Sequence, residues 1–184
     1  MVILIGGIGC TGKTWLANHL MKQTNIPYFP LDHLMMGIYR GIPNCGFTPM
    51  AEQFVLGEKM WPVIKGIIMT NIENEHNIIL EGFQLLPHLL RDFPSEYLDH
   101  ILPIFLLHSE PYLKENFGQK IIKYRNAIES REDIDDVSHN NWIAATRRLK
   151  AQCIAKQITF FEIKDDFATS MKAAADFVLA NLGV

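Results

Sequence analysis

Gly7-Ile8-Gly9-Cys10-Thr11-Gly12-Lys13-Thr14 matches the phosphate-binding pattern G-x-x-x-x-G-K-[ST] at every fixed position. The residues on either side give the match its weight. Val2-Ile3-Leu4-Ile5 is a short continuous apolar run, the pattern of a strand buried on both faces. After the loop, Leu16, Leu20 and Met21 recur at helical spacing within Trp15 to Lys22. The chain therefore reads strand, glycine-rich loop, helix, which is the setting this loop requires.

The physics of such a loop is local. Glycines allow backbone turns with φ > 0, so that main-chain N–H groups point inward with no Cβ in the way. The helix that starts at the end of the loop adds its own unpaired N–H groups and the positive end of its dipole. The expected phosphate cradle is Gly7, Gly9, Cys10, Thr11, Gly12, Lys13 and Thr14. Within it the Lys13 ammonium reaches the β- and γ-phosphates, and the Thr14 hydroxyl holds Mg2+.

A chain of 184 residues is enough for one domain with a full core. Its formal net charge of -3 argues against nucleic acid as the main partner, because a phosphate-backbone binder needs a basic face. Cys10, Cys45 and Cys153 are odd in number, far apart and form no C-x-x-C pair, so they read as reduced thiols in a cytoplasmic protein. The apolar start has no basic segment before it and is interrupted early by glycines and Lys13, unlike a signal peptide. No apolar run approaches the roughly 20 residues of a membrane span. No nucleic acid or membrane partner is expected, and the protein reads as a monomer or a homodimer.

Along the chain, the first helix is expected to end near Gln23 to Asn25, and Ile26 to Leu31 reads as a short second strand. Its two prolines push it to a sheet edge. Asp32 follows directly, near the carboxyl end of that strand, where open α/β sheets bind their ligands. It is a candidate for chemistry, or alternatively a helix cap for the Leu34-Met35-Met36 segment. Residues 37 to 50 are rich in glycine and proline and read as a mobile, substrate-facing stretch. Arg40 within it is either an anion clamp or a solvated surface arginine. A longer helix is expected from Ala51 to Asn71, with Phe54, Val55, Met60, Trp61, Ile64, Ile67 and Ile68 on its apolar side and Pro62 as a bend.

Asn77 to Gly82 reads as the next strand, closed by Glu81 at its carboxyl end. An acid at the end of a strand beside a phosphate loop orients Mg2+, often through water. The alternative, a structural glutamate, faces the cost of burying a lone charge. A helix around Leu85 to Arg91, a buried strand from Ile101 to Leu107 and a helix starting over Glu110 to Phe117 come next. Gln119 to Asn141 is highly charged and reads either as a solvated face or as a lid that brings Arg125 or Arg131 over the phosphates. Asn141 to Lys156 is again helical and carries Arg147 and Arg148. These adjacent residues point in different directions, so at most one faces the site. Ile158 to Ile163 is the last strand, and Phe167 to Leu182 the last helix. Lys164-Asp165-Asp166 mimics part of the guanine-reading N-K-x-D element. Ile163 stands where Asn or Thr is needed, and no D-x-x-G occurs, which sets a GTPase switch aside.

Five strands alternating with helices argue a parallel, three-layer α/β/α fold. On the phosphate loop and this alternation, the chain resembles the small P-loop kinases of the nucleoside-monophosphate kinase and shikimate/gluconate kinase group. The resemblance implies a single kinase domain over residues 1–184 with a five-stranded parallel sheet of order 2-3-1-4-5. It also implies a substrate-binding insertion at about 33–75 and an arginine-bearing lid at about 118–140. The implied activity is an ATP-dependent phosphotransferase acting on a small-molecule hydroxyl; the alternatives are a nucleoside-monophosphate kinase, similar to adenylate kinase, and a nucleotide-binding regulatory module with little transfer activity.

Carried over by position, Lys13 and Thr14 match the phosphate and Mg2+ residues, and Asp32 matches the strand-two carboxylate used on an acceptor hydroxyl. Arg125 or Arg131 would match lid arginines. Leu80-Glu81-Gly82-Phe83 is similar to the D-G-F-P-R element of adenylate kinases, but Gln84 and Leu85 stand where the arginine that grips a monophosphate belongs. Cys10 replaces a glycine common in the family's loop, and Leu34 stands where shikimate-type kinases often have a second acid. The Glu81-Gly82 pair is similar to that of 2-phosphoglycerate kinase-like proteins, which implies a phosphorylated or carboxylated alcohol as acceptor. An alcohol must lose a proton during transfer, and Asp32 is available to accept it. The expected roles are therefore catalysis by Lys13, Asp32 and Arg125 or Arg131, substrate contacts from Asp32, Arg40, Glu81 and Arg148, and Mg2+ on Thr14 and, through water, Glu81.

Overall fold

The computed structural model describes residues 1–117, 139–164 and 166–183. The apolar run at the start forms β1 (Val2–Gly7), buried along its whole length at the centre of a parallel sheet. Its neighbours are β3 (Ile78–Glu81) on one side and β4 (Ile101–His108) on the other. The edges are β2 (Tyr28–Pro30) and β5 (Thr159–Ile163), giving the order β2-β3-β1-β4-β5. The fold is the five-stranded, three-layer arrangement expected from the resemblance.

Alternation along β1 sends its side chains into two cores. Ile3 and Ile5 pack with Leu16 and Leu20 of α1 (Lys13–Thr24) and with Met171 and Val178 of α7 (Phe167–Leu182). Val2 and Leu4 face the opposite side, with Leu56, Met60 and Ile64 of α3 (Gln53–Glu73) and Leu149 of α6 (His139–Lys156). Because both faces are covered, β1 has no polar alternation to show, and full burial of each aliphatic side chain contributes about 1.5–3 kcal/mol. Three shorter α-helices are α2 (Leu31–Gly41), α4 (Ser95–Leu98) and α5 (Glu110–Asn116).

Several local expectations change. The segment from 37 to 50 begins as helix, because α2 runs on through Gly41. Asp32 lies inside the first turn of that helix, with Pro30 in the capping position, so it caps nothing at 34–36. On α3, Val55 is exposed; Leu56 and Gly57 are buried instead, since the turn that seats Phe54, Trp61, Ile64 and Ile68 on the sheet carries Val55 outward. The helix expected near 85–91 is a tighter 3-10 helix, Pro87–Asp92, tied to α3 by the Trp61 indole N–H donating to Asp92 Oδ2 at 3.0 Å. Asp166 caps α7, accepting from the main-chain N–H groups of Ala168 and Thr169. No helix among the described residues is long and apolar enough to cross a membrane.

Candidate functional site

The register of the sheet brings the candidate acids to the phosphate loop. Glu81, the last residue of β3, stands level with Ile5 of β1 and Pro30 of β2. The loop leaves β1 two residues beyond Ile5, and Asp32 follows two residues beyond Pro30. Loop, Glu81 and Asp32 thus share the carboxyl edge of three adjacent parallel strands, the edge at which such sheets bind ligands.

Two glycines set the shape of the loop. Gly7 has φ +140°, and a side chain there would run into the Leu106 carbonyl of the neighbouring strand. Gly12 has φ +86°, caps α1 without any side-chain hydrogen bond, and carries the Phe167 ring against the space a Cβ would fill. Cys10 takes a left-handed conformation with φ 57°. The loop therefore keeps, with a cysteine, the backbone geometry that glycine adopts freely. The Lys13 ammonium donates to the Ile8 carbonyl at 2.7 Å and the Thr11 hydroxyl to the same oxygen at 3.0 Å, so both fold back across the loop. Trp142 of α6 closes the other side: a Cβ on Gly9 would stand 3.0 Å from its Cη2.

The Thr14 hydroxyl donates to Glu81 Oε1 at 3.1 Å. Glu81 is buried, 4% exposed, and this contact accounts for one of its oxygens. A hydroxyl and a carboxylate at the end of a phosphate loop form a hard-oxygen donor pair. Mg2+ takes one or two such protein ligands and fills its remaining positions with phosphate oxygens and water, so the residues present fit it. Asp32 is half-buried, and its Oδ1 accepts from Gln84 Nε2 at 2.7 Å.

Among the arginines, α6 sends Arg147 and Arg148 apart. Arg147 pairs with Glu110 of α5, its Nε donating to Oε2 at 2.8 Å, and Lys114 joins the same carboxylate. Hydrogen bonds from Arg147 and then Lys114 lower the Glu110 carboxyl to about 2. Arg148 lies instead over the Phe54 ring of α3, 3.5 Å from its centroid. Neighbouring Gln53 donates to the Phe83 carbonyl in the turn after β3 at 2.9 Å. Arg40 is exposed in the last turn of α2. Arg125, Arg131 and the lid expected at about 118–140, apart from its last two positions, lie outside the described residues.

Sequence reasoning missed three residues here. Gln84 was noted only as a missing arginine, yet it is fully buried against Asp32. Trp142 falls within the expected helix Asn141 to Lys156, where nothing local marks it as facing the loop. His108 ends β4 beneath the loop, 2% exposed, with its ring stacked on Tyr112 at 5.5 Å. Neither His108 nitrogen has a partner in full hydrogen-bond geometry among the described residues. Burial and, next, the nearby Lys13 ammonium push its pKa down to about 4; the Cys10 main chain acts weakly in the other direction. A strand-end histidine carries no periodicity signal, and its environment is made by three other segments.

The fold is shared with solved structures of small kinases. A shikimate kinase from Bacteroides thetaiotaomicron superposes with TM-score 0.56 at 15% identity, covering 100% of this chain and 99% of that one. A sugar kinase from Janibacter sp. HTCC2649 gives 0.55 at 13%, covering 100% and 94%. A deoxyadenosine kinase from M. mycoides, solved with dCMP and dCDP, gives 0.54 at 14%, covering 100% and 99%. No protein-family profile and no curated protein matches the chain. The chain has the fold of the small P-loop kinases of the nucleoside-monophosphate and shikimate kinase group, and at these identities the likeness is one of fold.

Proposed function

We propose that this protein is an ATP- and Mg2+-dependent phosphotransferase that moves the γ-phosphoryl group of ATP to the hydroxyl of a small molecule. The observation that carries the reading is the pair of carboxylates at the ends of adjacent strands, each already engaged: Glu81 with Thr14 of the loop, Asp32 with Gln84. In this reading the first serves the metal and the second the acceptor.

In this reading the loop amides and Lys13 hold the β- and γ-phosphates, and Thr14 and, through water, Glu81 would hold Mg2+, which would supply charge neutralisation at the phosphates. Asp32 accepts the proton of the acceptor hydroxyl as that oxygen bonds to the γ-phosphorus, and the bond from the γ-phosphorus to the β,γ-bridging oxygen breaks to release ADP. Arg148, with Arg125 or Arg131, neutralises charge on the moving group or its acceptor. The amide of Gln84 in place of a cation supports a hydroxyl acceptor over a nucleoside monophosphate, which needs arginines around its own phosphate.

The test is a panel of sugars, hydroxy acids and phosphorylated alcohols run beside AMP, CMP, UMP and GMP, with ATP and Mg2+. Transfer to a hydroxyl compound is expected, and Asp32→Asn should lower kcat about 100-fold or more while ATP affinity stays within about twofold. Lys13→Met should abolish transfer. Transfer to a monophosphate alone, or ATP binding with transfer to nothing, overturns the reading.

A further inference from the structure

Among the described residues, Gln84 is the one fully buried side-chain amide beside the acids of the site. Its Nε2 donates to Asp32 Oδ1 at 2.7 Å and lies 3.6 Å from Met35 Sδ. Its Oε1 is buried and has no hydrogen-bond partner among the described residues. The amide orientation follows from this: turned over, it would set a carbonyl oxygen against the Asp32 carboxylate, acceptor facing acceptor. Room for Oε1 comes from Gly82, where a Cβ would collide with it and with Leu31. A buried amide with half its hydrogen-bonding capacity unused is a cost to folding. The fold accepts it in order to aim one N–H at one carboxylate.

The turn that carries Gln84 is itself held at both ends. Gly82 N–H donates to the Ile5 carbonyl at 3.1 Å, and the Phe83 carbonyl accepts from Gln53 of α3 at 2.9 Å. Glu81, immediately before, bonds to Thr14. A short, braced path therefore runs from the metal side of the loop through residues 81–84 to Asp32. An amide orients a carboxylate while withdrawing less of its basicity than a guanidinium would.

We infer that Gln84 is a positioning residue, which fixes the rotamer of the Asp32 carboxylate toward the acceptor and so makes the pocket one for a proton-donating hydroxyl. This rests on the role given to Asp32 above, and the experiment separates the two. Gln84→Met keeps the length of the side chain and removes both polar ends. Gln84→Leu also removes both polar ends in a smaller side chain, a variant to hold in reserve if the first fails to fold. Near-ultraviolet circular dichroism checks folding of each.

The first readout needs no ligand. Hα–Hβ scalar couplings of Asp32 should show one large and one small value in the parent, a single rotamer, and two averaged values in either folded variant. The second readout applies to whatever acceptor is turned over. Gln84→Met should lower kcat about 10-fold or more with KM for ATP within about twofold, and should add less than about twofold to the loss in Asp32→Asn, since the two act as one unit. Averaged couplings without any transfer would remove the phosphotransferase reading and keep the positioning role. Unchanged couplings in a folded variant, or an unchanged kcat, would overturn the inference.

Discussion

The Thr14 hydroxyl and Glu81 Oε1 stand 3.1 Å apart, joining the first turn of α1 to the end of β3 across 67 residues of sequence. The contact exists because β1 and β3 are neighbours in the sheet, with Ile5 level with Glu81. In the reading proposed above, Mg2+ would sit on the Thr14 oxygen and, through water, on Glu81, so that the carboxylate would accept from a metal-bound water in place of the hydroxyl. Glu81→Gln should therefore raise the Mg2+ concentration needed for half-maximal ADP affinity about 10-fold or more, with metal-free ADP affinity little changed. Calorimetric titration at several Mg2+ concentrations measures both.

Cys10 holds a left-handed backbone that its side chain disfavours. Cys10→Val, with a β-branched side chain, should destabilise the protein by about 1–2 kcal/mol, whereas Cys10→Gly should be neutral or slightly stabilising. Urea unfolding midpoints compare the three. The opposite order would mean that contacts of the cysteine side chain outweigh the backbone strain.

His108 links stability to pH. The unfolded chain binds a proton at this residue from about 6.5 downward, the folded chain only from about 4. Between these values the unfolded state holds more protons, so stability rises with pH through the window and is lost as pH falls from about 6.5 to about 4. The span corresponds to about 3 kcal/mol. His108→Phe keeps a flat ring against Tyr112 and removes the titration, so its stability should fall less by about that amount between pH 7 and 4. Glu110, held at about 2, acts below this window: its contribution is present above about 4.5 and fades as pH drops through about 2. Equal pH slopes in the two proteins would show that His108 does not titrate as described.

Trp142 reports on the loop directly, because its indole edge meets Gly9. Binding of Mg·ADP should change the tryptophan fluorescence, and Trp142→Phe should remove most of that change while ADP still binds by calorimetry. A signal that survives the substitution would have to come from Trp15 or Trp61, of which Trp15 is 40% exposed beside Phe167.

The amino-acid sequence by itself determined much of what depends on neighbours along the chain. The strand-loop-helix unit at residues 2–24, the strand-ending Glu81 and the last helix at 167–182 were all legible, because turn chemistry and hydrophobic period are local properties. Helix limits shifted where a cap or a proline was misjudged, as at Asp32 and Pro87. What tertiary structure decided was which side chains meet. The pairing of β1 with β3 set Thr14 against Glu81, and the packing of α2 on the turn after β3 set Asp32 against Gln84. The crossing of α6 over the loop set Trp142 on Gly9 and sent Arg147 and Arg148 to different partners. Such contacts join residues tens of positions apart, and only the closing of the parallel sheet fixes their distances, so no reading of spacing could have supplied them.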